Sequence, residues 1–333
     1  MLFWVAVALA GYGDAERGLP RAEDRLMHLW TNAARVDPGA FADEYTRGGC
    51  SFGSFSATEK QAQPLLAFNV ALAEAAAFHT QDMADGEFLS HSSSDGTSFG
   101  ARLDRFYDGQ AIGENVSMGY SDAFVGVMRG WMCSDGHRSN IMEPMWDELG
   151  VATVGVYRTQ DFGLGGVEVP MIAMGAHTPL APTDAVALMA DAHDPDGVSE
   201  MRVVLDGTVY AMSLAFGDAT SGTWSLSASV DAGCHVYWFE ASAASGEGRF
   251  PATGAYGFGP CAFDDAAAGW FASAFVSDGT ATPEDPAAEV GVWDDPGAGP
   301  GGGGDGCGCA QARPSWVWLG MLVPLLRRRR QGA

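Results

Sequence analysis

Two histidines and one glutamate stand at points where the local sequence pattern breaks. His91 follows a long helical run in FLSHSSSDG, Glu114 lies between apolar residues in AIGENVSMG, and His137 follows the turn residues of GWMCSDGHRSNIM. Two imidazoles and a carboxylate can together hold a divalent cation, and imidazole suits zinc. A histidine in a loop can also be purely structural, and spacing alone does not separate the two interpretations.

The stretch around His137 predicts a short ordered loop. Ser134, Asp135 and Gly136 interrupt an apolar helical run, and the chain becomes apolar again after Arg138. Glycine frees the backbone, while serine and aspartate bond to it locally. We expect this loop to present the His137 side chain. Ser134 precedes His137 closely, but no orienting acid or oxyanion hole accompanies the pair, so a serine nucleophile is not indicated.

Helices followed by short strands are predicted to position these residues within an N-terminal domain, 21–178. The helical segments have apolar residues at helical spacing or many helix formers: AEDRLMHLWTNAARV, NVALAEAAAFHTQDMADG and SDAFVGVMRGWM. The second of these ends at Gly86, a common helix terminator. LGVATVGVY and VPMIAMGAH carry β-branched and small residues, which favour strands. The fold class is therefore predicted as α/β, with helices packed on a small sheet.

Taken together, these segments resemble the CAP superfamily, also called the SCP domain, which includes cysteine-rich secretory proteins, antigen 5 and plant pathogenesis-related proteins. The matching pieces occur in the family's order: NAAR, LAFNVALAEAAAFHTQDMA, FLSH, GEN, W-x-x-S-x-GHRSNIM and LGVA. GEN followed by the W…GHR…N element is the most specific part. The resemblance implies the compact bacterial version of the domain, a CAP-type α-β-α sandwich with a cleft.

The family's cleft holds two histidines and two acidic residues, and His91, Glu114 and His137 match it residue by residue. The second acid of the family usually lies three residues after the tryptophan, where this chain has Ser134. Asp135, one residue further along, is the candidate for the fourth ligand. The resemblance thus implies a cation site formed by His91, Glu114 and His137, with Asp135 as a possible addition.

Other residues of the motifs are expected to be structural. His79 lies at a helix position that the family often fills with histidine, and we expect it to pack against the core. Trp131 is also expected to be structural. Asn115 and Asn140 should tie loops together through backbone hydrogen bonds.

A smaller all-β domain, an Ig-like sandwich, is predicted for 182–265. MRVVLDGTVYAM has two β runs around Asp206 and Gly207, a strong hairpin signal. GTWSLSASV and CHVYWFEASA follow as alternating strands, and several short strands at regular spacing suggest a sandwich. The loop DAHDPDG lacks EF-hand spacing and is interpreted as a solvated turn. No catalytic set is found in this domain.

Cys307 and Cys309 form a close pair, the other four cysteines are scattered, and none has zinc-finger spacing. In an exported protein such cysteines usually form disulfides. We expect Cys234–Cys261 within the all-β domain and Cys50–Cys133 within the N-terminal domain. For the second pair, free buried thiols are the alternative.

The N-terminal segment predicts export. An apolar run from Leu2 to Ala10 has the length of the apolar region of a signal peptide, and Ala8-Leu9-Ala10 is a candidate cleavage box. We place the signal peptide at 1–18.

The C-terminal segment predicts sorting to the cell surface. A flexible glycine-rich linker is predicted for 280–306. In 307–333, Cys307 and Cys309 precede a short apolar segment, 315–326, and an arginine run. This order resembles the C-terminal sorting tail of myxobacterial surface proteins (MYXO-CTERM), which implies processing near the two cysteines. The apolar segment falls short of the roughly 20 residues that span a bilayer, so a sorting helix that enters the membrane transiently is expected.

Charge excludes one class of partner. The net charge is −24, from 42 acidic and 18 basic residues. Such a surface repels phosphate backbones, so nucleic-acid binding is not expected.

Two functions are consistent with these features. The first is an exported, surface-associated or extracellular protein whose CAP cleft binds a divalent cation, zinc being a candidate, and a small apolar or lipid-like ligand. The alternative is a metal-dependent hydrolase or peptidase in which Glu114 is the general base and the histidines hold metal and water. Members of the family mostly lack an established catalytic activity, so binding is favoured.

Overall fold

The computed structural model describes residues 11–45, 50–119 and 125–272. The predicted linker at 280–306 and the predicted sorting tail at 307–333, with Cys307 and Cys309, lie outside these residues. Within them, no helix has the length and apolar character needed to cross a membrane.

The N-terminal unit combines helices with one four-stranded sheet. Its elements, in chain order, are α1 (Ala22–Val36), α2 (Pro38–Tyr45), β1 (Ala67–Phe68), α3 (Val70–Gly86), α4 (Phe99–Leu103), β2 (Ala111–Met118), α5 (Val125–Cys133), α6 (Asp135–Ile141), β3 (Glu148–Val154) and β4 (Tyr157–Leu164). The strand order is β1-β3-β4-β2. Only the β1–β3 pair is parallel within this sheet as described.

Local sequence explains the bounds of α3. Asn69 caps its first turn, because the side-chain oxygen accepts a hydrogen bond from Leu72 N at 3.0 Å. The helix ends at Gly86, and Glu87 then takes a left-handed conformation with φ 49°. The predicted helix end is therefore confirmed.

The second unit consists of two β-sheets. Its strands are β5 (Ile172–Thr178), β6 (Ala185–His193), β7 (Val198–Leu205), β8 (Thr208–Ala211), β9 (Ser213–Gly217), β10 (Ser221–Ser229), β11 (His235–Ala243), β12 (Gly246–Phe250), β13 (Ala255–Phe258) and β14 (Trp270–Phe271). One sheet has the order β5-β6-β10-β9, and the other β14-β13-β11-β7-β8, with β12 paired to β11. The sheets pack closely, since a Cβ at Gly175 would lie 2.4 Å from the Phe239 ring.

The predicted hairpin at Asp206-Gly207 is confirmed. Leu205 pairs with Thr208 across the turn, and both turn residues have positive φ, 53° and 81°. This is the geometry that an Asp-Gly pair favours. The predicted all-β character of this part of the chain is thus confirmed, and its assignment to the Ig-like class stays a prediction.

The boundary between the two units lies earlier than predicted. The strand 172–178 was assigned to the N-terminal domain, but it pairs antiparallel with β6 of the second unit. The second unit also continues beyond 265, because β14 pairs with β13. A strand pattern identifies a strand but carries no information on which sheet the strand joins, so the predicted ranges 21–178 and 182–265 were wrong at these edges.

Helix α1 lies in the interior between the two units. One hydrophobic cluster includes its apolar side chains together with those of both units. Toward the second unit, Trp30 packs against Phe216 with ring centroids 6.0 Å apart. Arg25, which is fully buried, donates to Ala268 O at 2.9 Å and lies 3.4 Å from the centre of the Tyr256 ring. The hydrophobic core of the second unit is therefore continuous with that of the first.

Residues 11–18 also belong to the folded body. The Tyr12 hydroxyl donates to Ala173 O at 2.6 Å and accepts from Phe68 N at 2.7 Å. The described part of the predicted signal peptide 1–18, residues 11–18, is thus bonded to both units, and the signal peptide itself stays a prediction.

Both expected disulfides are confirmed. Cys50 and Cys133 are bonded with their Cα atoms 5.2 Å apart, and Cys234 and Cys261 with theirs 4.8 Å apart. The first bridge joins Cys50 to the last residue of α5, shortly before the GHR segment of α6.

Candidate functional site

Glu114 lies on the sheet face that α3 covers. In the strand register, Glu114 is opposite Asp161, and Asp161 is opposite Gly150. Residues directly opposite one another in a sheet project to the same face. A Cβ at Gly150 would lie 2.1 Å from Ala73 N of α3. The absence of a side chain at 150 thus lets α3 press directly on the face that carries Glu114 and Asp161.

Glu114 is buried and both of its carboxylate oxygens are engaged. Its Oε1 lies 2.8 Å from His91 Nδ1, and its Oε2 accepts from Arg102 Nη2. Arg102, at the end of the short helix α4, also donates to His91 O at 3.0 Å and to Ser93 Oγ at 3.2 Å. Arg102 therefore holds both Glu114 and the loop that carries His91.

Two buried carboxyl groups share the positive charge of Arg102. Burial raises the pKa of Glu114 to about 7, although Arg102 lowers it. Burial, and then the negative charge of Glu114, raise the pKa of Asp161 well above its usual range. Neighbouring carboxylates in a site of low polarity do not both ionise easily. Ionisation of Glu114 therefore opposes ionisation of Asp161.

His91 is oriented by its contact with Glu114. Its side chain is 17% exposed, whereas that of Glu114 is not exposed at all. With Nδ1 directed at the buried carboxylate, the other ring nitrogen, Nε2, is turned away from it. A neutral imidazole that donates from Nδ1 keeps Nε2 as its basic nitrogen.

His79 supports the same loop from α3. It is fully buried, as expected, and its Nε2 lies 2.7 Å from Ser90 O, immediately before His91. Burial, and then the positive charge of Arg102, lower the pKa of His79 to about 4. His79 is therefore neutral at physiological pH and acts as a structural residue.

His137 is buried on α6, with its ring centroid 6.2 Å from that of Trp131. Its backbone oxygen accepts from Asn115 Nδ2 at 3.2 Å. Asn140 Nδ2 donates to Glu114 O and to Asn115 Oδ1, both at 3.0 Å. The expectation that the two asparagines tie loops together is confirmed. They fix α6, and with it His137, against the strand that carries Glu114.

Asp135 is not brought to this cluster. Its side chain is 94% exposed and bonds to Arg138 at 2.7 Å. It lines a separate open cavity of about 590 Å³ together with Glu59 and Ser56, and neither His91 nor Glu114 lines that cavity. The structure therefore provides no contact between Asp135 and the other predicted ligands.

The arrangement does not fit a cation on Glu114. Among residues 11–45, 50–119 and 125–272, no three His, Cys, Asp or Glu side chains are grouped so as to hold a metal ion. In addition, the guanidinium of Arg102 already occupies Glu114 Oε2. A divalent cation at that oxygen would be repelled at short range in a site of low polarity.

Arg102 and Asp161 are the site residues that sequence reasoning missed. Asp161 interrupts an otherwise strand-like segment, YRTQDFGL, and a lone acid in a buried strand is a detectable signal. Arg102 lies in SFGARLDRF, where nothing local marks it as buried.

Comparisons with known proteins place this site within one recognised domain. Residues 31–164 match the family model described as "CAP: Cysteine-rich secretory protein family". This part of the chain is a CAP domain. The match ends at the last residue of β4, so the all-β unit lies outside it.

Several bacterial proteins share this region. The chain is 35% identical over 94 residues to the uncharacterized membrane protein YlbC of Bacillus subtilis, covering 27% of this chain and 26% of that protein. It is 32% identical over 110 residues to the uncharacterized protein YkwD of the same organism, covering 31% and 41%. The chain thus spans well under half the length of these relatives.

A solved structure is similar in the same region. It is an extracellular protein containing an SCP domain from Bacillus anthracis, 36% identical, covering 30% of this chain and 34% of that one, with a TM-score of 0.29.

Proposed function

We propose that this protein is exported and that its CAP cleft, bordered by His91, Glu114 and His137, binds a small or lipid-like ligand. The observation that carries the proposal is the orientation of His91. Glu114 and Arg102 fix its ring and backbone, and 17% of its side chain is exposed, so the imidazole is preorganised for contact with a ligand. A preorganised polar group beside a buried apolar framework is the usual composition of a ligand site.

A binding role fits Glu114 better than catalysis. A general base needs a path to the proton that it removes. Both carboxylate oxygens of Glu114 are engaged by His91 and Arg102, and the side chain is buried. Its geometry suits an orienting group for His91, and no observation favours the hydrolase alternative.

A fluorescent fatty alcohol, whose hydroxyl can hydrogen-bond an imidazole nitrogen, tests the proposal. Titration into the purified protein should show saturable binding, and His91→Ala should weaken it about three- to tenfold through loss of one hydrogen bond. Asp135→Ala is the matched control, because its exposed side chain lies away from the cluster, and it should bind as the wild type does. Equal affinity in all three proteins would contradict the proposal.

Divalent-cation binding by His91 and His137 stays a prediction, and zinc calorimetry tests it separately. Zinc affinity at pH 7.5 should fall in His91→Ala and should also fall at pH 5, since protonated imidazole is not a ligand. Equal affinity at both pH values would reject a histidine site. Absence of zinc binding would leave the ligand proposal standing.

Export is supported by two observations. The Cys50–Cys133 and Cys234–Cys261 disulfides suit an oxidising compartment, and the Bacillus anthracis protein is described as extracellular. Surface retention through 307–333 rests on the sequence alone. Removing 307–333 should release folded protein into the medium, and unchanged retention after truncation would contradict the sorting role.

A further inference from the structure

Another cavity lies at the junction of the two units, and no side chain of the candidate functional site lines it. Its volume is about 330 Å³. Pro64 and Leu65 of the CAP domain line one side, and Val169, Met171 and Pro195 line the side of the all-β unit. Ligand pockets begin at about 300 Å³. Since water takes up about 30 Å³ in the liquid, the cavity has room for a molecule of about ten non-hydrogen atoms.

Backbone hydrogen bonds hold the apolar walls of the cavity in place. On the CAP side, Pro64 O accepts from Nε of the buried Arg35 at 2.8 Å. On the other side, His193 N at the end of β6 donates to Met171 O at 2.8 Å. Both walls are thus fixed to secondary structure, and the cavity is formed before any ligand arrives.

Asp194 lies at the buried floor of the cavity and is only 3% exposed. Its Oδ1 accepts from Asp196 N at 2.9 Å, and its Oδ2 accepts from Ser245 Oγ. Ser245 also lines the cavity. Because the single hydroxyl hydrogen of Ser245 is given to Asp194, its oxygen keeps only acceptor capacity.

The remaining polar side chains at the cavity also offer acceptors. His193 Nδ1 lies 2.7 Å from Thr220 O. A carbonyl oxygen only accepts, so Nδ1 carries the hydrogen, and Nε2 of the neutral ring is an acceptor. Glu168, on the exposed rim, is an acceptor-only carboxylate. No lysine or arginine is among the described residues that line the cavity.

From this composition we infer that the cavity binds a small organic amine in its protonated form. An ammonium group has three N–H donors and no acceptor, which matches a polar lining made of acceptors. Its charge is attracted by Glu168 and Asp194, while its alkyl part lies against Leu65, Val169 and Met171. The family match ends before the first strand of the all-β unit, so this site depends on that unit and is separate from the CAP cleft.

Hexylamine is the probe, because it joins one ammonium group to a short alkyl chain. Isothermal titration calorimetry on the full chain at pH 7.5 and physiological salt limits attraction to the acidic surface as a whole. We expect saturable binding of one hexylamine, about tenfold or more tighter than that of 1-hexanol, because charge-assisted hydrogen bonds are stronger than neutral ones. Affinity for 1-hexanol or for hexanoate equal to that for hexylamine would overturn the inference.

Glu168→Gln tests the charge of the rim. It keeps the side-chain shape, and it should weaken hexylamine binding about three- to tenfold while leaving 1-hexanol binding unchanged. Glu87→Gln is the matched control, since Glu87 is exposed and does not line the cavity, and it should bind hexylamine as the wild type does. Equal weakening in the two variants would assign the binding to the general acidic surface and overturn the inference.

Pro195→Trp tests the place of binding by adding an indole ring at the exposed edge of the cavity. It should abolish binding of hexylamine and of 1-hexanol, and its thermal unfolding shows that the variant is folded. Hexylamine affinity unchanged in the folded variant would overturn the inference.

Discussion

Replacing Arg102 with methionine tests whether its guanidinium balances the charge of the Glu114 site. Arg102 and Glu114 are both buried. Arg102 also donates to His91 O and Ser93 Oγ. Methionine retains much of the side-chain volume but removes every donor. The two hydrogen bonds to His91 and Ser93 together contribute about 2 kcal/mol to the free energy of unfolding, and this part of the loss should not depend on pH.

The rest of the loss depends on pH, because Glu114 can take up a proton. Its pKa is raised to about 7 by burial, with Arg102 lowering it, so without Arg102 it rises further. A carboxyl group with a higher pKa in the folded than in the unfolded state gives stability that is fully present below the unfolded pKa and is lost as pH rises through the folded pKa. In the wild type this loss of stability ends near pH 7. In the variant, stability continues to fall above pH 7 by about 1.4 kcal/mol per pH unit.

Urea unfolding at pH 6 and at pH 8.5 separates the two parts. The variant should be less stable than the wild type by about 2 kcal/mol at pH 6 and by about 4 kcal/mol at pH 8.5. Arg105→Met is the matched control, since Arg105 makes an exposed hydrogen bond to Thr97 Oγ1 at 3.2 Å, and it should change stability by less than about 0.5 kcal/mol at either pH. An equal loss at both pH values in Arg102→Met would refute the charge-balance reasoning.

Two further substitutions probe packing and a surface ion pair. Gly150→Ala should lower the free energy of unfolding in urea by about 3 kcal/mol or more, because its Cβ would lie 2.1 Å from Ala73 N. The control, Gly100→Ala, places its Cβ in open space on a helix and should be neutral or stabilising. Similar effects of the two substitutions would contradict the packing of α3 on Gly150. Burial lowers the pKa of His235, but the hydrogen bond to Asp206 outweighs burial, so the pKa is raised. His235→Gln should therefore destabilise the protein more at pH 5.5, where the histidine is protonated, than at pH 9. An effect independent of pH would exclude the His235–Asp206 ion pair.

The sequence predicted the residues that carry local motifs. FLSH and GEN placed His91 and Glu114 in one site, and the structure joins them at 2.8 Å. The asparagines of GEN and of the GHR element tie backbone segments together as expected. Each of these residues is recognisable because its motif fixes both residue type and position.

The remaining site residues depend on contacts that no local pattern encodes. Asp161 joins Glu114 through the register of β2 against β4, residues that are far apart in the chain. Asp135, the predicted fourth ligand, has a side chain that is 94% exposed and bonded to Arg138, and its local sequence does not mark that contact. Strand 172–178 was placed in the wrong unit for a related reason, since pairing partners are set by tertiary packing.

The position of α1 leads to a last prediction, that the CAP domain of this chain does not fold alone. In a fragment of residues 21–178, the Trp30 side chain loses Phe216, and Arg25 loses both Ala268 O and the Tyr256 ring. Exposing a large apolar side chain costs about 1.5–3 kcal/mol. Several apolar side chains of α1 lie in the cluster shared with the second unit, so their combined loss is comparable with the roughly 5–15 kcal/mol by which whole domains are stable. When urea unfolding is monitored by near-UV circular dichroism, the fragment should therefore show no cooperative transition, whereas residues 11–272 should show a single one. A cooperative transition of the fragment at the same urea concentration would show that α1 is stabilised by the CAP sheet alone, and the all-β unit would then be an appended domain.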